Sequence, residues 1–244
     1  MRIMRNGLPA ALLVAVLAVA GGAWAGNFTP TIKFKLATTK SNKPTAIKID
    51  VRQERGEEEL ATVELRVPGA FKLPNLAKFE GCTPRPDVRI PCDGEVLGEG
   101  LIHIMVGPGC AQAPQDASRA TQVELPAKLV VVEETQDQRQ AGTLAIWNLE
   151  ITGVTTIPLS VGKSGGMWVM KGDIPANPAT CPEFDFTLDI FKTSEASVTG
   201  VGGGRTIFVN PKVKKNTSYK FSAKFWSLDS PATRTVSQKV TIKR

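Results

Sequence analysis

Alternation with a period of two dominates this chain. Ile32, Phe34 and Leu36 alternate with Lys33 and Lys35. Ile47, Ile49 and Val51 alternate with Lys48, Asp50 and Arg52, and Val63, Leu65 and Val67 with Glu64 and Arg66. Successive side chains of a strand point to opposite faces, so each run specifies a strand with one buried and one wet face. Strands are also expected at 101–106, 121–125, 128–133, 143–151, 166–171, 183–191, 205–210, 218–226 and 233–243. Clusters of Gly, Pro, Asn and Ser separate them. The one helical candidate is short, at 73–79, with Pro74 in its first turn. Many short strands with regular turn signals predict an all-β chain: one or two antiparallel β-sandwich modules, Ig-like or jelly-roll-like.

The segment 111–120 (AQAPQDASRA) is small and polar, with no apolar period. It places a soft boundary between a module at 26–119, which contains a disulfide loop, and a second at 120–244. Residues 1–25 have the layout of a secretory signal peptide. Arg2 and Arg5 precede an apolar run from Leu8 to Ala20, and Ala23-Trp24-Ala25 offers small residues at a cleavage site. The run is shorter than the about 20 residues of a membrane span. A mature chain starting at Gly26 is therefore expected, secreted or held at the cell envelope. No later apolar run is long enough to span a bilayer.

All four cysteines, Cys82, Cys92, Cys110 and Cys181, follow the leader. In an oxidising compartment an even count argues for disulfides, and three pairings are open. Cys82–Cys92 is favoured because its loop is short and proline-rich, which leaves Cys110–Cys181. Structural zinc needs C-x2-4-C spacing, usually twice, whereas Cys82 and Cys92 have nine residues between them and the chain has one histidine. No metal and no cofactor are expected.

Signs of catalysis are weak. A Ser-His-Asp or Cys-His arrangement would depend on His103, which reads as a structural or surface residue. Gly162-Lys163-Ser164 lacks the earlier glycine of a phosphate-binding loop and the helix after it, and reads as a Gly-rich hairpin turn. The run 200–204 reads as flexible glycines. Asp185 and Asp189 share a strand face about 13 Å apart, wider than paired glycosidase carboxylates. Glu57-Glu58-Glu59 reads as a charged turn tip that could touch a cation.

A binding surface has better support. On the 218–226 strand, Tyr219, Phe221, Ala223 and Phe225 share one face, and Lys220, Ser222, Lys224 and Trp226 the other. With the first face in the core, the second displays a tryptophan beside two lysines, which suits a sugar ring or an anionic polymer. Trp147 and Trp168, among apolar neighbours, read as core. The net charge of +7 is spread along the sequence, and no basic stripe with interleaved aromatics favours nucleic acid. The expected function is non-catalytic, structural or binding, with a cell-wall polymer or a surface protein as partner. The alternatives are an extracellular carbohydrate-active or other hydrolase accessory, which needs two convergent carboxylates, and a lipid carrier, which needs a large apolar cavity.

Glu64-Leu65-Arg66-Val67-Pro68-Gly69 is followed by Cys82, then Pro91-Cys92 and Leu97-Gly98-Glu99-Gly100. This arrangement resembles secreted actinobacterial β-rich proteins of uncharacterised function with an LPxG…C…CP…IGxG pattern. Asn177-Pro178-Ala179-Thr180-Cys181-Pro182 and the 219–225 stretch resemble two pieces of their C-terminal pattern, separated here. Those proteins end in a second cysteine, whereas this chain ends Ile242-Lys243-Arg244. The resemblance implies export, β-structure and a short disulfide loop, and points to no particular activity.

Overall fold

The computed structural model describes residues 27–54, 57–73, 96–106, 121–132, 143–175, 180–190 and 208–244. The leader, the Cys82–Cys92 loop, Cys110, residues 74–79 and 111–120, and the glycine run 200–204 lie outside these residues, as does the side chain of Cys181. Every regular element among the described residues is a strand: β1 (Thr31–Leu36), β2 (Ile47–Gln53), β3 (Leu60–Pro68), β4 (Val96–Val106), β5 (Thr121–Val132), β6 (Thr143–Ile151), β7 (Thr155–Ser164), β8 (Met167–Asp173), β9 (Thr180–Ile190), β10 (Thr217–Ser227) and β11 (Thr233–Ile242). The all-β class expected from the alternation is what the chain adopts.

The period-two pattern sets the register. Ile32, Phe34 and Leu36 of β1 stand opposite Val51, Ile49 and Ile47 of β2, while Lys33 faces Asp50. A slip of one residue would turn every one of these side chains to the wrong face. All eleven strands join one sheet in the order β1-β2-β9-β4-β5-β6-β7-β8-β3-β10-β11, and every neighbouring pair is antiparallel. β9 lies between β2 and β4, and β3 between β8 and β10. Strands from the two sides of residue 120 therefore interleave in a single sheet.

The two ends of this sheet approach each other, nearly closing it. Eleven antiparallel strands leave β1 and β11 running in the same direction, so the seam between them has to be parallel. Where the segment after β1 meets the end of β11, it is: the Lys243 backbone N–H donates to the Thr39 carbonyl (2.7 Å), and the Ser41 N–H to the Lys243 carbonyl (2.8 Å). Midway along, a side chain replaces the backbone ladder. The Gln238 amide accepts from the Phe34 N–H (2.7 Å) and donates to the Phe34 carbonyl (2.8 Å). Gln238→Ala removes both and leaves a donor and an acceptor of β1 without their partner. It is expected to destabilise the protein by about 1–3 kcal/mol and to speed amide exchange at Phe34. Exchange at Phe34 as slow as in the unchanged protein would show that Gln238 does not hold the seam.

The interior is one contiguous apolar cluster that draws on both ends of the chain. At its centre Phe221 meets Phe34 (centroids 5.4 Å) and Phe71 (5.2 Å), and Phe71 stacks on Phe208 (5.2 Å, planes 5° apart). The outward positions carry Lys33, Lys35, Lys48, Asp50 and Arg52, whose neighbours in sequence are buried. Lipid-facing barrels are apolar outside and polar within; β1 and β2 have the opposite polarity. No helix among the described residues is long and apolar enough to cross a membrane.

Three local readings need correction. β5 runs unbroken through Pro126, where two strands were expected. β7, with Pro158 inside it, was not expected at all. Both prolines sit where a second neighbour is missing: the β5–β6 pairing begins at Ala127, and the β7–β8 pairing begins at Leu159. A residue without an N–H is tolerated at such places. The 205–210 strand is absent from the described part, where Val209 makes only isolated bridges to Pro44 and Lys72. The hairpin expected at the GKS sequence does form. Gly165 and Gly166 take φ of 56° and 73°, the pair of positive values a two-residue I′ turn requires.

Candidate functional site

The outward face of β8, β3, β10 and β11 brings together the residues singled out for binding. Trp226 of β10 stands opposite Thr62 of β3 and Thr233 of β11, and Thr62 in turn opposite Asp173 of β8. One row further along the strands run Lys171, Glu64, Lys224 and Thr235. Two ammonium groups approach the half-buried Trp226 ring, Lys224 Nζ at 4.5 Å from the centroid and Lys171 Nζ at 5.5 Å. Both are within cation–π range. Arg66 Nε binds Glu64 Oε1 at 2.5 Å, and the Thr62 hydroxyl donates to Asp173 Oδ1 at 2.8 Å. These bonds fix the acidic members of the face and leave Lys171 and Lys224 on the ring.

Lys220, the third residue of the expected site, is exposed three rows from Trp226 and two from Lys224. It stands directly opposite exposed Lys239 of β11. Like charges in that position repel, and neither makes an ion pair among the described residues. Lys171 was not anticipated. It is 55 residues from Trp226 in sequence, and only the register of β8 on β3 brings it to the ring. Trp147 is core, 3% exposed. Trp168 is half-buried; its Nε1–H donates to the Phe71 carbonyl (3.1 Å), and Lys163 lies 4.2 Å above its ring.

A second polar feature crosses four strands. Arg52 (β2), Asp185 (β9), His103 (β4) and Glu124 (β5) stand side by side in one row. His103 points outward and its Nε2 lies 2.7 Å from Glu124 Oε2. Beside it the β4–β9 register shifts between Ile104 and Met105, and a cleft of about 120 Å³ opens, lined by Arg52, Glu54, His103, Gln122 and Asp185 among others. That is below the about 300–1,000 Å³ of ordinary ligand pockets. Asp189 lies in a different row, opposite Lys48 and Glu99. Among the described residues no group of three or more His, Cys, Asp or Glu is placed to hold a metal ion.

The Glu57–Glu59 run is not the charged turn tip its composition suggested. Glu57 and Glu58 are buried, at 6% and 8% exposure. Glu58 N–H donates to the Asn27 carbonyl (3.3 Å), which pulls the segment under the chain's first described residues. The Thr29 hydroxyl donates to Glu57, Gln53 donates to the Glu58 carbonyl, and Asp229 accepts from the Glu59 N–H (2.7 Å). Hydrogen bonds from Ser227 and Ser230 hold the Glu58 carboxyl below the usual carboxylate range, against the opposing effect of burial. These acids organise the turn around β2, β3 and β10 instead of facing solvent.

The fold and this face define an all-β protein with a nearly closed antiparallel sheet and a tryptophan beside two lysines on its wall. Comparison with protein-family models, with curated proteins and with solved structures finds no match.

Proposed function

We propose that this is a secreted or envelope-associated, non-catalytic binding protein whose outer face on β8, β3, β10 and β11 contacts an anionic wall polymer. The observation that carries this reading is the Trp226 ring with Lys224 and Lys171 both in cation–π range, on a face rich in hydroxyls. A sugar ring stacking on Trp226 displaces one ammonium, which then pairs with an acidic substituent of the same polymer. Thr233, Thr235 and Ser237 on β11 and Ser222 on β10 supply hydroxyl partners along the chain direction. Lys220 and Lys239 gain an anion between them and lose their mutual repulsion. Surface proteins are the alternative partner.

Eleven strands closed in the round would enclose more space than side chains fill. We infer a flattened sheet, its two halves face to face as in a sandwich, with the binding face on one broad wall. Export through the leader, the Cys82–Cys92 loop and kinship with the secreted actinobacterial proteins belong to the same reading.

Co-sedimentation of the exported chain with purified cell-wall material, over a salt series, tests it. Retention is expected to fall with salt. Lys220→Ala with Lys224→Ala removes two ion contacts of about 0.5–1 kcal/mol each and should weaken retention about fivefold to thirtyfold, with a shallower salt dependence. Unchanged retention in the double variant would remove this face from the function.

A further inference from the structure

The chain's excess positive charge is not dispersed once it folds. Residues 37–46, 69–73, 211–216 and 243–244 carry eight Lys and Arg and no Asp or Glu. The whole chain has a net charge of +7, so everything outside these segments sums to −1. All eight cations are exposed, and none forms an ion pair among the described residues.

The fold stitches these four segments into one end of the sheet. Lys72 and Val209 exchange both backbone hydrogen bonds, at 3.1 and 3.0 Å. Lys243 pairs with Thr39 and Ser41 across the seam, and Arg244 N–H donates to the Asn216 side chain at 3.1 Å. Asn210 is the centre. It is 0% exposed, its backbone N–H donates to the Lys43 carbonyl (2.9 Å), and its side-chain amide donates to the Thr38 and Lys40 carbonyls (2.9 Å each). The Ser41 hydroxyl accepts from the Val213 N–H at 2.9 Å, and Asn42 adopts a φ of 52° to turn the chain between Lys40 and Lys43. The lysines therefore project from a platform of fixed turns. Holding like charges together this way costs stability, and surfaces without a polyanionic partner intersperse the two signs.

We propose that this end of the sheet docks on an anionic phospholipid surface. Charge complementarity selects the partner. The cations come from four segments arranged around an end, not along one strand or groove, so a planar array of phosphates can meet them together. The segments expose no large apolar or aromatic side chain, since Leu101, Leu144, Val154 and Leu228 lie elsewhere. Stacking on bases or sugars and insertion between acyl chains are therefore not offered here, and contact stays at the headgroups. Docking by this end is independent of polymer binding at Trp226, which lies nine residues and about 30 Å along β10 from Thr217.

Sedimentation of the exported chain with phospholipid vesicles tests the proposal. Binding is expected to vesicles of mixed phosphatidylglycerol and phosphatidylcholine, not to phosphatidylcholine alone, and to vanish at high salt. Each lysine near an anionic surface raises partition about fivefold, so Lys212→Ser, Lys214→Ser and Lys215→Ser together should lower it about a hundredfold. Lys40→Ser with Lys43→Ser, from the other side of Asn210, should lower it about twenty-fivefold. Trp226→Ala should leave vesicle binding unchanged, whatever it does to retention on wall material. Equal binding to neutral and anionic vesicles would overturn the proposal. So would undiminished binding by both lysine variants with unaltered circular dichroism. Capture of soluble polyphosphate without any vesicle binding would assign the platform to a linear polyanion and overturn it as well.

Discussion

Phe221→Ala is expected to destabilise the protein by about 3–5 kcal/mol, the cost of truncating a fully buried phenylalanine and leaving a cavity. Phe221 is 0% exposed and reaches in two directions. On one side it packs against Phe34 of β1, so a side chain of β10 touches β1 past the intervening β11. On the other it packs edge-on against Phe71, which stacks on Phe208. The first contact holds the seam together from inside, behind the Gln238 bonds to the Phe34 backbone. The second supports Phe71 and Phe208, whose neighbours Lys72 and Val209 carry the cationic platform. Rings held at these angles cannot close over a lost neighbour without leaving their rotamers, so little of the cavity should collapse. A urea titration of the variant reads the loss as a lower midpoint at similar slope. A change below about 1 kcal/mol would mean that the aromatic cluster is looser than these contacts require.

Much of the architecture was legible in the alternation, because burial imposes the same period on sequence and strand. Where a strand broke that pattern, it was misread or missed. β7 opens with Thr155, Thr156, Ile157 and Pro158 and ends in Gly162-Lys163-Ser164. Its proline and glycine carry turn propensity, and only the absence of a β8 partner at Pro158 makes the strand possible. Pro126 in β5 repeats the case. Single-sheet order was not legible either. Insertion of β9 between β2 and β4 joins β2 to residues well over a hundred positions away, and nothing local in 183–191 names those partners.

The binding face was half legible. Trp226 and Lys224 are two residues apart on one strand, and period two puts them together. Lys171 reaches the same ring only through the pairing of β8 with β3. The cationic platform shows the limit most clearly. Its charges are scattered over more than two hundred residues, and a scan for basic runs finds little beyond Lys212, Lys214 and Lys215. What collects them is Asn210, whose amide bonds to two carbonyls of residues 38–40 have no signature in composition. Glu57 and Glu58 mislead in the opposite sense. Three successive acids suggest a solvated tip, yet hydroxyl and backbone donors from remote segments bury two of them.

Gly100→Ala should cost about 3 kcal/mol or more, the upper end of what forcing extra atoms into a packed interior does. Gly98 and Gly100 are the two glycines of the Leu97-Gly98-Glu99-Gly100 motif, and both stand against β9, opposite Ile190 and Leu188. A Cβ on Gly100 would lie 1.9 Å from the Thr187 carbonyl oxygen and 2.9 Å from the Leu188 Cα. Both obstacles are backbone, fixed by the pairing of β9 with β2 on its other side, so neither can rotate away. Gly153 is the control. It sits at φ +76°, and a Cβ there would meet nothing within 4 Å, so Gly153→Ala incurs only the left-handed backbone penalty of about 1–2 kcal/mol. Thermal or urea unfolding of the two variants separates the explanations. A clearly larger loss at Gly100 means that the bare backbone of β4 lets β9 enter the sheet, and that the glycines of this motif mark close contact between strands. Equal losses would mean that β4 and β9 lie further apart than this geometry requires, and the glycines of the motif would need another cause.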